Sequence, residues 1–283
     1  MQLIEPKFEI LEQLPGMEGI YKQIELAGRT CYKSEDKITE DSAKEFVDRM
    51  IKSGHGAMLE HGTVYLYYTN RSIIQKDTIF PHWKYKRNKY SKCNTISMQG
   101  TDCFGNPAPV EFYITTNLRV LVENNWLDDL QYICEPTEYH EKRITVRYTS
   151  DIHFYKDTTR HRVFSWAIES TRFCNYLKKK FGASISFLIP CWLKEEEELE
   201  FEEDLRTIES IYFKWINKGW QAQQAAYFLI QGTKAEIIMT GFVSDYKHFF
   251  DLRSELATTG KPHPTVVELV EPLRQEFIKR NLV

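Results

Sequence analysis

The sequence lacks long apolar runs. None approaches the roughly 18 residues that a membrane-spanning helix needs, and the longest candidates, such as Ala225–Ile230, are far shorter. The opening Met1-Gln2-Leu3-Ile4-Glu5-Pro6 has no basic region followed by an apolar stretch, so secretion is not expected and a cytoplasmic location is. Cysteine is sparse. Cys31, Cys93, Cys103, Cys134, Cys174 and Cys191 fall at irregular gaps with no Cys-x-x-Cys pair, which argues against a structural zinc site. Disulfides do not fit a chain without a signal peptide. An excess of one charge is missing too. Lys and Arg number 37 against 40 for Asp and Glu, a net charge of −3, which argues against non-specific nucleic-acid binding as the main task. There is no internal repeat and no low-complexity linker.

What is present is a core-forming chain. Of 283 residues, 42% are hydrophobic and 27% charged, enough for one large domain or two small ones. Thr39 to Lys52 reads as a helix capped by Thr39 and stopped by Gly54. Val64, Leu66 and Tyr68 alternate with Tyr65 and Tyr67, a strand with apolar or aromatic surroundings on both faces. Ile144, Val146 and Tyr148 alternate with Arg143, Thr145, Arg147 and Thr149 in a second strand, and Ser186 to Ile189 reads as a short third. Eight acidic residues among the ten from Glu195 to Asp204 suit a helix N-terminus running on to about Lys218. Gln221–Ile230, Ser244–Leu252 and Pro264–Lys279 read as helical. Scattered strands between long helices indicate the α+β class.

Two stretches carry chemistry. In the irregular run Ile79–Pro109, Lys84, Lys86, Arg87, Lys89 and Lys92 are interleaved with Trp83, Tyr85 and Tyr90. Such a stretch suits phosphates or stacked bases, or equally a solvated loop with snorkelling lysines. The denser stretch runs Arg160-His161-Arg162-Val163-Phe164-Ser165-Trp166-Ala167-Ile168-Glu169-Ser170-Thr171-Arg172. Its apolar residues should anchor it against a core and leave its arginines partly desolvated, in need of acceptors. Guanidinium forks match phosphate or carboxylate, and a turn at Ser170–Arg172 adds N–H groups and hydroxyls. An internal salt-bridge network with Glu169 and other acids is the competing use of the same residues.

The order Arg-His-Arg, seven residues, Ser resembles the motif of the flavin-dependent thymidylate synthases. Two further segments agree. Gly54-His55-Gly56-Ala57-Met58-Leu59-Glu60-His61 resembles the family's Gly-His segment, and Asp245–Arg253 its final helix, followed by His263-Pro264. The resemblance spans about residues 25 to 280. It implies a single domain over 1–283 with a central antiparallel or mixed sheet, helices packed around it, and an insertion at about 75–142, since His61 and Arg160 lie 99 residues apart. Ala167-Ile168 stands where members often carry Asn-Glu, Phe173 where a tyrosine is usual, and Gln221–Ile230 lacks the arginine found there in compact members.

The resemblance implies reductive methylation of dUMP to dTMP. Methylenetetrahydrofolate gives the carbon, bound FAD the hydride, and NADPH regenerates the flavin. His55, Arg160, His161, Arg162, Ile168, Glu169, Ser244 and His248 then stand at flavin positions. Asp157, Arg160, Ser170, Thr171, Arg172 and Arg253 stand at nucleotide positions, with Arg253 and Ser170 catalytic. No metal, nucleic acid or membrane is implied, and the assembly implied is a homotetramer. No cysteine nucleophile is needed, so Cys174 is read as structural. Two other readings stay open: a related flavoenzyme that modifies C5 of another pyrimidine nucleotide, for instance by hydroxymethylation, and a non-catalytic nucleotide or RNA binder using Trp83–Lys92 and the Arg-His-Arg element.

Overall fold

A computed structural model describes residues 1–69, 82–97, 109–172, 174–177, 182–258 and 260–283. Phe173, Cys103 and parts of the expected insertion lie outside them. Strands β1 (Gln2–Ile4) and β2 (Lys7–Leu11) precede helix α1 (Gly16–Tyr32). Then come α2 (Ser42–Lys52), α3 (Gly56–Leu59), β3 (Thr63–Thr69), α4 (His82–Lys86), β4 (Lys92–Ser97), β5 (Val110–Asn117) and α5 (Leu118–Glu123). The rest is β6 (Arg143–Asp151), α6 (Ile152–Thr158), β7 (Ser165–Ile168), β8 (Ser186–Leu188), α7 (Glu198–Asn217), α8 (Ala222–Ala225), β9 (Lys234–Phe242), α9 (Val243–Arg253) and α10 (Pro264–Lys279). The α+β class read from the sequence is borne out.

The chain divides into two units. The first holds Met1–Leu11, Ala27–Lys37 and Thr145–Val283. Its four-stranded sheet has the order β2-β6-β9-β7, with β2 antiparallel to β6 and β7 antiparallel to β9. Side chains alternate between faces along a strand, and here the two faces differ sharply. Val146 and Tyr148 of β6 belong to an apolar face, where Tyr148 packs on Phe154. Helices α9 and α10 add Tyr246, Phe250 and Phe277 to the same aromatic core. Thr145, Arg147 and Thr149 take the other face and bond Thr240 and Glu236 across the sheet at 2.9–3.1 Å. Every residue of β9 is buried, charged ones included. A smaller core gathers Cys174, Phe187, Leu205 and Tyr212 beside the parallel pair β1–β8.

Helix starts here are chemically specified. Asp151 caps α6, accepting the Phe154 N–H at 2.7 Å. His263 caps α10 ahead of Pro264, whose fixed φ suits the first turn. One glycine has a packing role. A Cβ on Gly241 would lie 2.2 Å from the Phe164 ring, which packs edge-on to Tyr246 and Phe249. Phe164 is buried here and fastens the segment after Arg162 to β9.

The second unit holds Glu12–Leu26 and Ile38–Ile144, and the expected insertion falls inside it. Its sheet has the order β3-β5-β4, antiparallel throughout. Val64, Leu66 and Tyr68 face a core with Ile20, Ile24, Phe46 and Val47, while Tyr65 and Tyr67 meet His140 and Tyr113 on the other side, as the alternation predicts.

Three element readings need correction. The helix expected from Thr39 begins at Ser42, because the Ser42 hydroxyl closes a tight loop with the Thr39 N–H and carbonyl and bonds Glu25. The expected helix Gln221–Ile230 shrinks to α8 and a 3-10 turn at Ala226–Phe228, where Phe228 stacks on Trp215 before the chain enters β9. The basic aromatic stretch is not irregular throughout: α4 and β4 form within it. Lys84 pairs with Asp129 and lies over Trp126, and Tyr85 is fully buried with its hydroxyl on the same Asp129. Among the described residues, no helix is long and apolar enough to cross a membrane.

The Gly241 contact yields a prediction. Gly241→Ala forces its methyl group into the Phe164 ring and should cost about 1–3 kcal/mol, the usual scale for overpacking a core. Thermal or urea unfolding of the two proteins measures it. An unchanged midpoint would mean that Phe164 is not pressed against β9.

Candidate functional site

The Arg-His-Arg element follows the end of α6. The chain turns as the His161 N–H donates to the Thr158 carbonyl at 3.0 Å and the Phe164 N–H to the His161 carbonyl at 3.3 Å. With Phe164 packed beneath Gly241, His161 is drawn inward to 8% exposure, while Arg160 and Arg162 on either side stay exposed. Neither arginine makes a side-chain hydrogen bond or ion pair with the described residues. The expectation that they would be partly desolvated is therefore corrected, and Val163, expected to anchor, is 59% exposed. The turn explains the difference: His161 and Phe164 at its two ends are buried, and Arg162 and Val163 between them are exposed.

Arg253 closes the same corner from the last turn of α9, where a cation also suits the helix dipole. Its Nε donates to His161 Nε2 at 3.1 Å, one Nη to Asp157 Oδ2 at 3.3 Å and the other Nη to the Asp157 carbonyl at 3.0 Å. Burial, with the Arg253 cation second, pushes the His161 imidazole down to about 4. The ring is then neutral near pH 7, accepts at Nε2 and carries its proton at Nδ1. Phe249 stands edge-on to it at 5.0 Å between centroids, and His248 at 6.0 Å. Four residues that the sequence singled out separately, Asp157, His161, His248 and Arg253, thus meet in one place.

The far end of the motif is built differently. Ile168 pairs with Ile237 at the end of β7, and the Glu169 N–H continues the ladder to the Glu236 carbonyl at 2.8 Å. Glu169 is 3% exposed. Its carboxylate accepts from Lys234 at 2.8 Å, from Lys33 at 3.2 Å and from the Glu236 N–H at 3.2 Å. Lys234 also pairs with Glu236 at 2.8 Å, Glu236 with Arg147 at 3.1 Å, and Arg147 with Glu35 at 3.6 Å. An internal salt-bridge network does exist, then, but it joins Glu169 to lysines and not to the arginines of the motif.

Burial opposes charge throughout this network, and the partners decide the balance. Burial pulls the Lys33 ammonium down despite Glu169. Burial acts the same way on Lys234, yet Glu169 and Glu236 together outweigh it and hold that ammonium above its usual range. Glu236 is disfavoured by burial but is held low by Lys234 and Arg147. A cavity of about 810 Å³ opens on this polar face, bounded by Lys7, Phe8, Arg147, Thr149, Lys234 and Glu236 among others.

Beyond Glu169, the Ser170 N–H donates to the Cys31 carbonyl at 2.9 Å. Ser170 and Thr171 are half-buried, and their hydroxyls bond none of the described residues. Arg172 is exposed, with its Nε on Gln223 Oε1 at 3.1 Å. Cys174 is fully buried in the smaller core. Ser244 is exposed in the first turn of α9. His55 belongs to the other unit, exposed at the start of α3. Lys33, Arg147, Lys234 and Glu236 were not singled out from the sequence. The signal was available at Lys234-Ala235-Glu236, two charges at strand spacing at the head of the apolar run Ile237-Ile238-Met239. Among the described residues, no group of three His, Cys, Asp or Glu could hold a metal ion.

The comparisons bear out the resemblance carried by the motif. The family model "Thymidylate synthase complementing protein" (Thy1) matches residues 135–271, which contain the Arg-His-Arg element, Ser170 and Arg253 but not His55. A flavin-dependent thymidylate synthase of Pyrococcus furiosus is 31% identical over 96 residues, a match spanning 33% of this chain and 38% of that protein. Two structures of a UMP/dUMP methylase, PolB, from Streptomyces cacaoi also match. The one with 5-Br dUMP has a TM-score of 0.44 at 13% identity, covering 99% of this chain and 93% of that one. The one with 5-Br UMP has a TM-score of 0.45 at 12% identity, covering 99% and 92%.

The corner at Arg253 predicts a titration. His161 should remain neutral from pH 8 down to about 4, whereas in the unfolded chain it takes up its proton near pH 6.5. Stability that is intact above about pH 6.5 should drain away as pH falls through 4. Removing the cation in Arg253→Met should raise the His161 pKa, as read from its ring proton shifts by NMR. A downward or absent change would refute the pairing.

Proposed function

We propose, from the match of residues 135–271 to the thymidylate synthase complementing protein family model, that this protein is a flavin-dependent enzyme that reductively methylates dUMP to dTMP. Methylenetetrahydrofolate is the one-carbon donor and NADPH the external reductant. The observation that carries the reading is a division of labour among donors. Arg160, Arg162, Ser170 and Thr171 are left uncommitted by the described residues, while Arg253 is fixed between Asp157 and neutral His161.

The uncommitted donors suit phosphate. Guanidinium groups fork onto its oxygens, and hydroxyls complete the shell. We assign Ser170, Thr171 and Arg172 to the nucleotide phosphate and sugar, with Asp157 and Arg160 at the edge of the same ligand. Arg160, His161, Arg162 and His248 would hold FAD, with Ile168 and Ser244 completing its surroundings. Two exposed cations that pair with none of the described residues fit its diphosphate, and the histidine rings fit a planar partner. Bound FAD supplies the hydride that turns the transferred carbon into a methyl group.

Arg253 is the residue we assign to the pyrimidine. Arginine has five N–H donors, and three are engaged by His161 and Asp157. The two that remain can meet a pyrimidine carbonyl. A fixed cation there stabilises the negative charge that develops as C5 becomes nucleophilic, without reorganising during the step. His161, neutral, holds the guanidinium in place without competing for that charge. A homotetramer whose sites gather residues from several subunits completes the proposal.

A second reading keeps the site and changes the product. Ala167 is fully buried and Ile168 lies in the β7 ladder, so neither offers a polar group where relatives often carry Asn-Glu. Modification of C5 in another pyrimidine nucleotide, such as hydroxymethylation, fits that loss.

Purified protein supplied with FAD, NADPH, methylenetetrahydrofolate and C5-tritiated dUMP should release tritium and form dTMP. A hydroxymethyl product would select the second reading. Arg253→Ala should lose about a hundredfold in turnover, the scale of one fixed oxyanion-type donor, while keeping the flavin absorbance. Full activity in that variant, or a protein that takes up no FAD, defeats the proposal.

A further inference from the structure

We propose that Glu169 is a positioning residue: its carboxylate, clamped between Lys33 and Lys234, sets the Ser170–Thr171 turn for a nucleotide phosphate. The inference rests on the reading of that turn as the phosphate grip.

The geometry carries it. Four bonds arrive at two adjacent residues from two directions. The end of α1 and the residues after it supply the Cys31 carbonyl to the Ser170 N–H and the Lys33 ammonium to Glu169. Strand β9 supplies the Glu236 carbonyl to the Glu169 N–H and the Lys234 ammonium to the same Glu169 oxygen. Lys33 and Glu35 straddle the corner, and Glu35 closes the circuit through Arg147 to Glu236.

A carboxylate with 1% side-chain exposure is costly to bury unless it is paired on all sides, so its position is narrowly defined. The hydroxyls one and two residues later inherit that definition. They make no bonds to the described residues that would orient them otherwise. Phosphate recognition needs donors held to within a fraction of an ångström, and the network is the part of the structure that supplies such stiffness here. Lys234 is shared between Glu169 and Glu236, and Lys33 gives Glu169 a second ammonium.

The test is equilibrium binding of dUMP and of deoxyuridine to the FAD-loaded protein, by calorimetry, for wild type and three variants. Glu169→Gln keeps the shape and removes the charge. Lys33→Met removes the partly exposed clamp and leaves Glu169 paired with Lys234, so it should fold even if Glu169→Gln does not. Lys33→Arg restores the cation. Glu169→Gln and Lys33→Met should bind dUMP roughly tenfold more weakly, the worth of one charge-assisted hydrogen bond. Deoxyuridine affinity should stay within about twofold, and Lys33→Arg should recover dUMP binding. A merely structural role would weaken both ligands alike. Wild-type binding of dUMP with unchanged affinity in both variants overturns this inference alone. No dUMP binding by wild type overturns the functional reading and this inference with it.

Discussion

A guanidinium that is mostly withdrawn from water has to be satisfied from within, and in this protein Arg253 is satisfied by a carboxylate, a backbone carbonyl and a neutral imidazole. Each partner comes from a different consequence of the fold. Asp157 and its carbonyl belong to the last turn of α6. His161 is turned inward because Phe164 lies in the space that Gly241 leaves open. Arg253 arrives at the end of α9, which directly follows the buried strand β9. If the imidazole were charged, two cations would face each other over 3.1 Å, with the Asp157 carboxylate bonded to Arg253 alone. Burial prevents that, and the corner holds together because His161 stays uncharged.

The second polar region solves the opposite problem. Placing Lys234 and Glu236 in a strand whose residues are all buried is expensive. They are tolerated because each finds partners on neighbouring elements: Lys234 pairs with Glu169, Glu236 with Arg147 and Thr149, and Lys33 and Glu35 extend the network through Glu169 and Arg147. Such networks add little net stability compared with apolar packing, and their attested use is to specify one arrangement over others. The arrangement specified here ends one residue before Ser170.

Much of this was legible in the sequence, for identifiable reasons. Periodic elements declared themselves: β3 and β6 through alternation, α10 over Pro264–Lys279 as read, and α9 within a residue at either end. The motif pointed to His161 and Arg253 as members of one site, and the structure brings them to hydrogen-bonding distance. What sequence reasoning missed was local override. The Ser42 hydroxyl moved a helix start, and the aromatic stack of Trp215 and Phe228 broke up an expected helix. Lys33 and Lys234 went unread because, 201 residues apart in the chain, they have no local pattern that links them to Glu169.

The contrast between committed and uncommitted arginines is the step that joins fold to chemistry. Composition left open whether the cations around residues 160–172 would bind a ligand or pair with Glu169 and other acids. The acids are allotted elsewhere, Glu169 to lysines and Asp157 to Arg253. A lysine ammonium is a compact point charge that can meet a single carboxylate oxygen without planar alignment, as Lys33 and Lys234 do at Glu169 Oε2. By using lysines for its internal carboxylate, the protein leaves the forked donors of Arg160 and Arg162 in solvent, with no bond to the described residues. A dianionic ligand arriving there would neutralise charge that the fold has not already neutralised. The internal network therefore takes up none of the charge of Arg160 and Arg162, because Glu169 is buried against lysines instead.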